Sequence, residues 1–524
     1  MPKKVISSVE VKVPNRSSFD KSFKNILTTK VGTLTPLVSK LLIPNSDFFM
    51  QLPISACLPP LASDTFMRCS LKVEAFAVPV RLLYGGFESW LTGSLLYKPD
   101  GSSTRAEMPY LVINSSAQAP YLGPGTLSDY LGVNIDIPAG QNQYKVNILK
   151  FLAYHRVYHD WYRNRKIQKP VFTNPVGAPV SPLSSPEQLS SLPFTAFDDA
   201  QYLNLNSSFF DGSHLGDLRQ RNYGDDYFTV ATTSPQSGSE QKVTIDSNSQ
   251  FTISALRAAN SLQHFAEKNN LTSPALQDYL MINYGAKLPS GIAQRSILLG
   301  SASYDVYSKG VNASNGVTAT NNPFTSVGAQ YGQAFASGSE FTISGHIDEP
   351  AYLMVIASLV PEANYNPRVT HDNLVFCGLK SWVDMPVSSL ENVGNEPIYS
   401  SELSTSALDL SKIFGYVPRY TYHKSSVNEI HGLLRSGGSL DSFVAQRTFS
   451  GYPQITSNFL EIGTTDLDNV TAVDEDLSNY GCWIDCYVKL YVSEPLSESS
   501  LPSLQDPAYE HGHSVFIGRN GSTL

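Results

Sequence analysis

Apolar and polar side chains alternate one for one over several long stretches of this chain. Phe66–Val78 is the first, Glu340–His346 and Cys482–Val492 repeat the pattern in the second half, and Ala351–Val360 there is a similar segment with Ser358 as its one polar side chain apart from Tyr352. A period of two places one set of side chains on each face of an extended backbone, so each stretch predicts a β-strand. A helical period is rarer. Leu256–Lys268 has apolar residues at Leu256, Ala259, Leu262, Phe265 and Ala266, and Ser273–Tyr284 opens on Ser-Pro, as helix starts often do. These two segments predict a helical hairpin. Thr173–Ser191 (NPVGAPVSPLSSPEQLSS between its ends) and Lys309–Gln333 are rich in Pro, Gly, Asn, Ser and Thr, which predicts long loops. A sandwich of about eight strands needs only about 50–100 residues. Most of the 524-residue chain must therefore be connection, whose ordering entropy an isolated subunit has difficulty recovering.

Composition sharpens this picture. Charged residues make up 16% of the chain, aromatic residues 11%, and there are 35 glycines and 33 prolines. Globular proteins carry about 25% charged residues, and charge depletion with aromatic enrichment is the mark of interface centres. Much of the surface is thus expected to face other protein. A formal charge of −9 excludes a strong general nucleic-acid condenser and leaves only local contacts with a genome. No run of eighteen apolar residues occurs, and Met1-Pro2-Lys3-Lys4 leads into no apolar leader core, so the expectation is an unsecreted protein without membrane insertion. Cys57, Cys69, Cys377, Cys482 and Cys486 are odd in number and dispersed, which suits reduced thiols.

A family resemblance runs along the chain in order. It begins with Asn15–Pro36 (NRSSFDKSFKNILTTKVGTLTP) and continues through Phe76–Tyr84 with Trp90, Tyr154–Asn164 (YHRVYHDWYRN), and Asp226–Thr229 with Pro235 and Gln236. Phe251–Arg257, Phe414–Tyr420 (FGYVPRY) and Leu433–Ser436 follow. Over about residues 15–500 the sequence resembles the major capsid proteins of Microviridae, the gokushovirus-like branches above all. The resemblance implies an all-β subunit, a single eight-stranded antiparallel jelly roll with very long loops and a few short helices. It implies self-assembly into a T=1 icosahedral shell around circular single-stranded DNA, in a virion put together in the bacterial cytoplasm. Partners implied are further copies, a small basic DNA-binding protein, a pilot protein, the packaged DNA and a host-surface receptor. The expected organisation is an N-terminal arm at 1–30, a jelly-roll domain at 31–500 with insertions near 95–145, 173–250 and 305–335, and a tail at 501–524. Related proteins carry a large insertion after the segment matching Tyr227–Gln236 that builds threefold protrusions. Here only Ser237–Gln250 separates it from Phe251, so such a protrusion is not expected at this point.

Candidate sites follow from residue chemistry. Lys3, Lys4, Lys12 and Arg16, with Lys21, Lys24 and Lys30, give the arm basic groups suited to phosphates, though an arm that ties subunits together explains them better. Arg163, Arg165 and Lys166, with Arg156 and Lys169, interleave with Tyr158, Trp161 and Tyr162, a pattern suited to phosphate contact and base stacking or to a packed interface. Tyr158, Trp161, Tyr162, Tyr416 and Tyr420 are expected interface anchors, so that Trp161→Ala would impair assembly more than folding. Asp466, Asp468 and Asp474 are weak candidates for a hard cation, without EF-hand spacing; a solvated loop explains them better. Cys482 and Cys486 share one strand face and read as core thiols. His155 and His159 share a helical face without a third ligand and read as packing or solvent-exposed groups. Nucleophile elbow, HExxH, P-loop and full GxGxxG motifs are absent, so neither catalysis nor a cofactor is expected. A receptor-binding spike and a secreted carbohydrate-binding β-sandwich are the alternatives.

Overall fold

The computed structural model describes residues 16–62, 66, 68–84, 87–93, 95–97, 103–105, 108–113, 116–135, 144–171, 202–235, 257, 261, 265, 276–285, 295–312, 330–338, 340–374, 386–388, 394–405, 409, 411–464, 466–471 and 482–496. Its main element is a sheet of eleven strands, every pairing of which is antiparallel. In chain order they are β1 (Ser17–Asp20), β2 (Phe23–Thr29), β3 (Thr35–Leu42), β4 (Ser46–Leu52), β5 (Ile54–Cys57) and β6 (Cys69–Pro79). β7 (Ile297–Asn312), β8 (Gln330–Ser337), β9 (Phe341–Ile347), β10 (Ala351–Pro361) and β11 (Cys482–Glu494) complete it. The order across the sheet is β9-β4-β11-β5-β8-β7-β6-β10-β3, with β1 and β2 also on β11.

β11 organises the sheet. Its inward residues Cys482, Ile484, Cys486, Val488, Leu490 and Val492 are all buried, the reason its sequence alternates so strictly. Its first half pairs with β2 and β5, its second half with β4 and β1. β4 and β5 are one extended run interrupted at Pro53, which has no N–H for the ladder; they keep one register along β11, from Gln51↔Lys489 to Ile54↔Cys486. β1 and β2 likewise keep one register, from Asp20↔Tyr491 to Phe23↔Val488. Residues 17–29, expected in an arm ahead of the domain, thus lie inside the sheet, because β11 offers them an edge of matching length.

The sheet folds over on itself. β7 and β9 stand five places apart in the strand order, yet a Cβ placed on Gly300 of β7 would sit 3.0 Å from Ile343 Cγ2 and 3.4 Å from Phe341 Cε2 of β9. A bulge between Leu298 and Gly300 coincides with this close approach. One core fills the fold, joining Phe48, Met50 and Leu52 of β4 to Leu71 and Val73 of β6, Phe341 of β9, Leu353 and Val355 of β10 and the inward row of β11. This is the packing that fits a jelly roll.

A second layer covers the other side of β6 and β10. Phe76 and Val78 of β6 and Tyr352, Met354 and Ile356 of β10 pack on the helix Leu149–Val157, so β10 is buried on both faces. A third cluster gathers Tyr227, Phe228, Tyr365, Phe414 and Phe459. The predicted strands at 340–346, 351–360 and 482–492 are found within one or two residues of their expected ends, and the run from Phe66 becomes a strand at Cys69. The expected loop at 309–333 is shorter than it reads: β7 runs to Asn312 and β8 begins at Gln330. Of the helical hairpin, Leu276–Tyr284 is a helix, and in Leu256–Lys268 only positions 257, 261 and 265, all helical, are among the described residues. The loop at 173–191 and the interval 237–250 lie outside the described residues. No helix among the described residues is long and apolar enough to cross a membrane.

Candidate assembly face and basic cavity

Because β11 alternates, its outward residues form a row as regular as its inward one. Trp483, Tyr487 and Tyr491 are each nearly half exposed. Cross-strand registers extend the row sideways: Tyr307 opposes Phe335, Phe335 opposes Cys57, Cys57 opposes Trp483, and Trp483 opposes Thr28. Tyr491 opposes Phe49, and Ile26 opposes Asp485. Tyr307 is 67% exposed and Ile26 70%, large apolar surfaces on flat sheet rather than on loop tips. Charges on this face pair with one another: Lys24 with Asp485 at 3.0 Å, Lys489 with Glu340 at 3.3 Å. Beside it Lys21 meets Glu494 at 2.6 Å, and Asp47 takes both His346, at 2.6 Å, and Arg16. The His346 hydrogen bond holds the Asp47 carboxyl below its usual range. Asp305 and Lys309 flank Tyr307 on the same face, and the rest is an aromatic surface with its charges paired, the character of an interface centre.

The expected anchors lie elsewhere. Tyr158, Tyr162 and Tyr420 are less than a tenth exposed, and Trp161 and Tyr416 are half-buried. Tyr158 lies under the Arg219 guanidinium at 4.7 Å, and Tyr162 donates its hydroxyl hydrogen to Glu74. Tyr416 exchanges backbone hydrogen bonds with Thr232 at 2.9 and 2.8 Å. These rings bind the layers of one subunit together, since each has a cation, a carboxylate or the core within reach. They therefore add little area for a neighbour, which corrects the expectation for Tyr158, Tyr162 and Tyr420.

Basic residues divide in the same way. Arg16, Lys21 and Lys24 are engaged in the ion pairs above, while Lys3, Lys4 and Lys12 lie outside the described residues. Arg156 is buried against Asp160 at 3.0 Å. Arg163 and Arg165 are half-buried, and Lys166 and Lys169 are exposed. His155 is fully buried; its Nε2 donates to the Leu215 carbonyl at 2.9 Å and its Nδ1 accepts from Arg219 at 3.1 Å. Burial and then Arg219 push it well below the usual histidine range, and burial with four arginines takes His159 down to about 2. Both are packing groups. Asp466 accepts from the Tyr223 hydroxyl at 2.6 Å and the Gly463 amide at 2.9 Å; Asp474 is not among the described residues, and no metal-ligating cluster of three occurs among those that are. Cys482 and Cys486 are buried free thiols in the core.

The helix ends in one π turn, Tyr158–Tyr162, closed by the Arg163 amide donating to the Tyr158 carbonyl at 3.1 Å. Between this turn and the polar edge of β6 lies a cavity of about 310 Å³, lined among others by Lys72, Trp161, Arg163, Arg221, Tyr223 and Asp225. Arg221 grips Glu74 with both terminal nitrogens, at 2.7 and 3.0 Å. Lys72, one pleat away, has no hydrogen bond or ion pair with any described residue; burial and the neighbouring Arg221 lower its pKa. Arg163 donates Nη1 to the Gln168 carbonyl at 2.9 Å, while its buried Nε has no partner among the described residues. A second cavity of about 520 Å³ mixes Arg219 and Lys169 with Asp211, Asp217 and Glu461, so its charges cancel or turn negative. Sequence reading pointed to Arg163 but missed Lys72 and Arg221. Lys72 was visible only as the polar half of the β6 alternation, and Arg221 lies in a segment with no periodic signal.

The profile of a phage capsid protein family, the F protein, matches residues 7–245 and 169–504. Capsid protein VP1 of Chlamydia phage 1 is 23% identical over 597 aligned positions, covering 95% of this chain and 97% of that protein. Capsid protein VP1 of Spiroplasma virus 4 is 20% identical, over 94% of this chain and 95% of its own length. That of Bdellovibrio phage phiMH2K is 22% identical, over 86% and 88%.

Proposed function

From the premise that the chain belongs to the F-protein family of phage capsid proteins, that of Microviridae, we propose that this major capsid protein closes with its copies into a T=1 icosahedral shell around circular single-stranded DNA. The subunit is a single eight-stranded jelly roll. Counting β1 with β2, β4 with β5, and β8 with β9 as interrupted strands reduces eleven to eight. Four of these, led by β11, then face β3, β10, β6 and β7 across the core. Its partners are the small basic DNA-binding protein, the pilot protein and a host receptor, and assembly takes place in the bacterial cytoplasm. The role is structural, with no catalytic step.

The observation that carries the assembly reading is the aromatic row on the outer face of the sheet, from Tyr307 through Phe335 to Trp483, with the charges around Trp483 and Tyr487 paired. Neighbouring copies meet there through heterologous contacts that close into rings. Electron microscopy with sedimentation of the recombinant chain, alone and with the other proteins of its genome, tests this. Uniform small closed shells are expected, and persistent monomers or trimers in the presence of those partners would overturn it.

A further inference from the structure

We propose that the cavity between β6 and the π turn seats one nucleotide unit of a single strand, its phosphate between Lys72 and Arg163 and its base beside Trp161 and Tyr223. This rests on the DNA-packaging reading above and gives it a place in the fold.

Charge is the first argument. Lys72, Arg163 and Arg221 line the cavity with Asp225; Arg221 and the nearby Glu74 neutralise each other, which leaves the two cations Lys72 and Arg163 against the single carboxylate of Asp225. Lys72 pays for its position, half-buried beside a like charge and without a carboxylate in contact, and an incoming phosphate offsets that strain. Arg163 brings a guanidinium to the same cavity wall. The larger cavity nearby has no such excess of positive charge, which singles this one out.

Shape is the second. Successive side chains on an α-helix diverge by about 100°, so three in a row do not normally line one wall. Here the π turn and the extended backbone of Arg163 (φ −72°, ψ 130°) bring Trp161, Tyr162 and Arg163 to one cavity. A volume of about 310 Å³ stands at the small end of ligand pockets. The half-exposed part of Trp161 beside cations, with no base-reading array, suits binding of a single strand with little sequence preference, while Tyr223, buried under Arg447, only backs the wall.

Fluorescence anisotropy of the full-length chain with a labelled twelve-residue oligothymidylate, across a salt series, tests the site. Lys72→Gln and Arg163→Gln are each expected to weaken binding about fivefold to tenfold and to flatten the salt dependence by about 0.7 in log–log slope, one phosphate contact on a single strand. Lys412→Gln, exposed and distant in the fold, serves as the unaffected control. Wild-type affinity and slope in both cavity variants would sink the proposal, as would displacement of the oligonucleotide by inorganic phosphate as readily as by thymidine monophosphate, the behaviour of a bare anion site. Thermal unfolding of Lys72→Gln separates lost binding from lost folding. Shell formation by the same variants keeps the two readings apart: intact shells with weakened binding support both, whereas a wild-type chain that never forms shells overturns the capsid reading and leaves the cavity to the binding data.

Discussion

The guanidinium of Arg295 lies 3.7 Å from the ring centroid of Trp161, over the indole face. The indole Nε1 donates to both the carbonyl and the hydroxyl of Ser296, at 3.1 and 3.0 Å, and Phe76 packs beside it at 5.9 Å. Trp161 thereby fastens the start of β7 to the second layer. Trp161→Ala is expected to destabilise the subunit by about 3 kcal/mol, and Trp161→Phe by about 1 kcal/mol through the lost hydrogen bond. Urea unfolding midpoints check both values. This reverses the expectation from sequence that assembly suffers more than folding.

The exposed row gives the opposite outcome. Tyr307→Ser removes a side chain whose neighbours are mostly solvent and should leave the stability of unassembled subunits within about 0.5 kcal/mol, while Trp483→Ser, at a side chain just over half covered, should cost them about 1 kcal/mol. Particle yield in sedimentation should fall sharply. Undiminished shells from the double variant would show that this face is not the contact.

Gly32 joins β2 to β3 at φ +69°, and a Cβ there would lie 2.6 Å from Ile462 side-chain carbons and 2.7 Å from its carbonyl oxygen. Gly32→Ala combines left-handed backbone strain with a collision against backbone, and a loss of at least about 2 kcal/mol is expected. A lowered thermal midpoint with unchanged denaturant dependence is the readout.

His155 sets a direction for pH dependence. Burial depresses its folded-state pKa well below the unfolded value of about 6.5, so the unfolded chain binds the extra proton as pH falls. Its contribution is complete above pH 6.5 and is lost below it, by about 1.4 kcal/mol per pH unit. Unfolding free energies at pH 7.5, 6 and 5 should decline accordingly. His155→Gln, which keeps a donor for Leu215 and an acceptor for Arg219, should flatten the decline.

Strands with one buried face were legible in sequence, and strands at half-buried edges were not. β11 announces itself because every inward position must be apolar, and β10, buried on both faces, because nearly every position must be. β1 and β2 mix Ser, Asp and Lys with isolated Phe and Ile since one side of each is solvent, and β4 and β5 hide their unity behind Pro53. The ends of β7 and β8 read as loop for the same reason, with Ser308, Lys309 and Gln333 on exposed ladder. Aromatic residues were counted correctly but placed wrongly. Nothing local distinguishes Tyr158, stacked under Arg219, from Tyr487, open to solvent, because the difference lies in which distant segment covers each. The basic segment at 163–166 was visible, while its partners Lys72 and Arg221 required the fold to bring β6 and residue 221 together.

The ladder between β1 and β11 joins Ser17 to Glu494. At about 5–20 residues per second a ribosome needs roughly half a minute to a minute and a half to travel between them. For that interval the earliest strands of the nascent chain lack their central partner, and the roll cannot close before translation is nearly finished. Pairings of such long range fold slowly and leave strand edges open meanwhile. No subunit can therefore become shell-competent before β11 is complete, and a chain stalled before Cys482 contributes none.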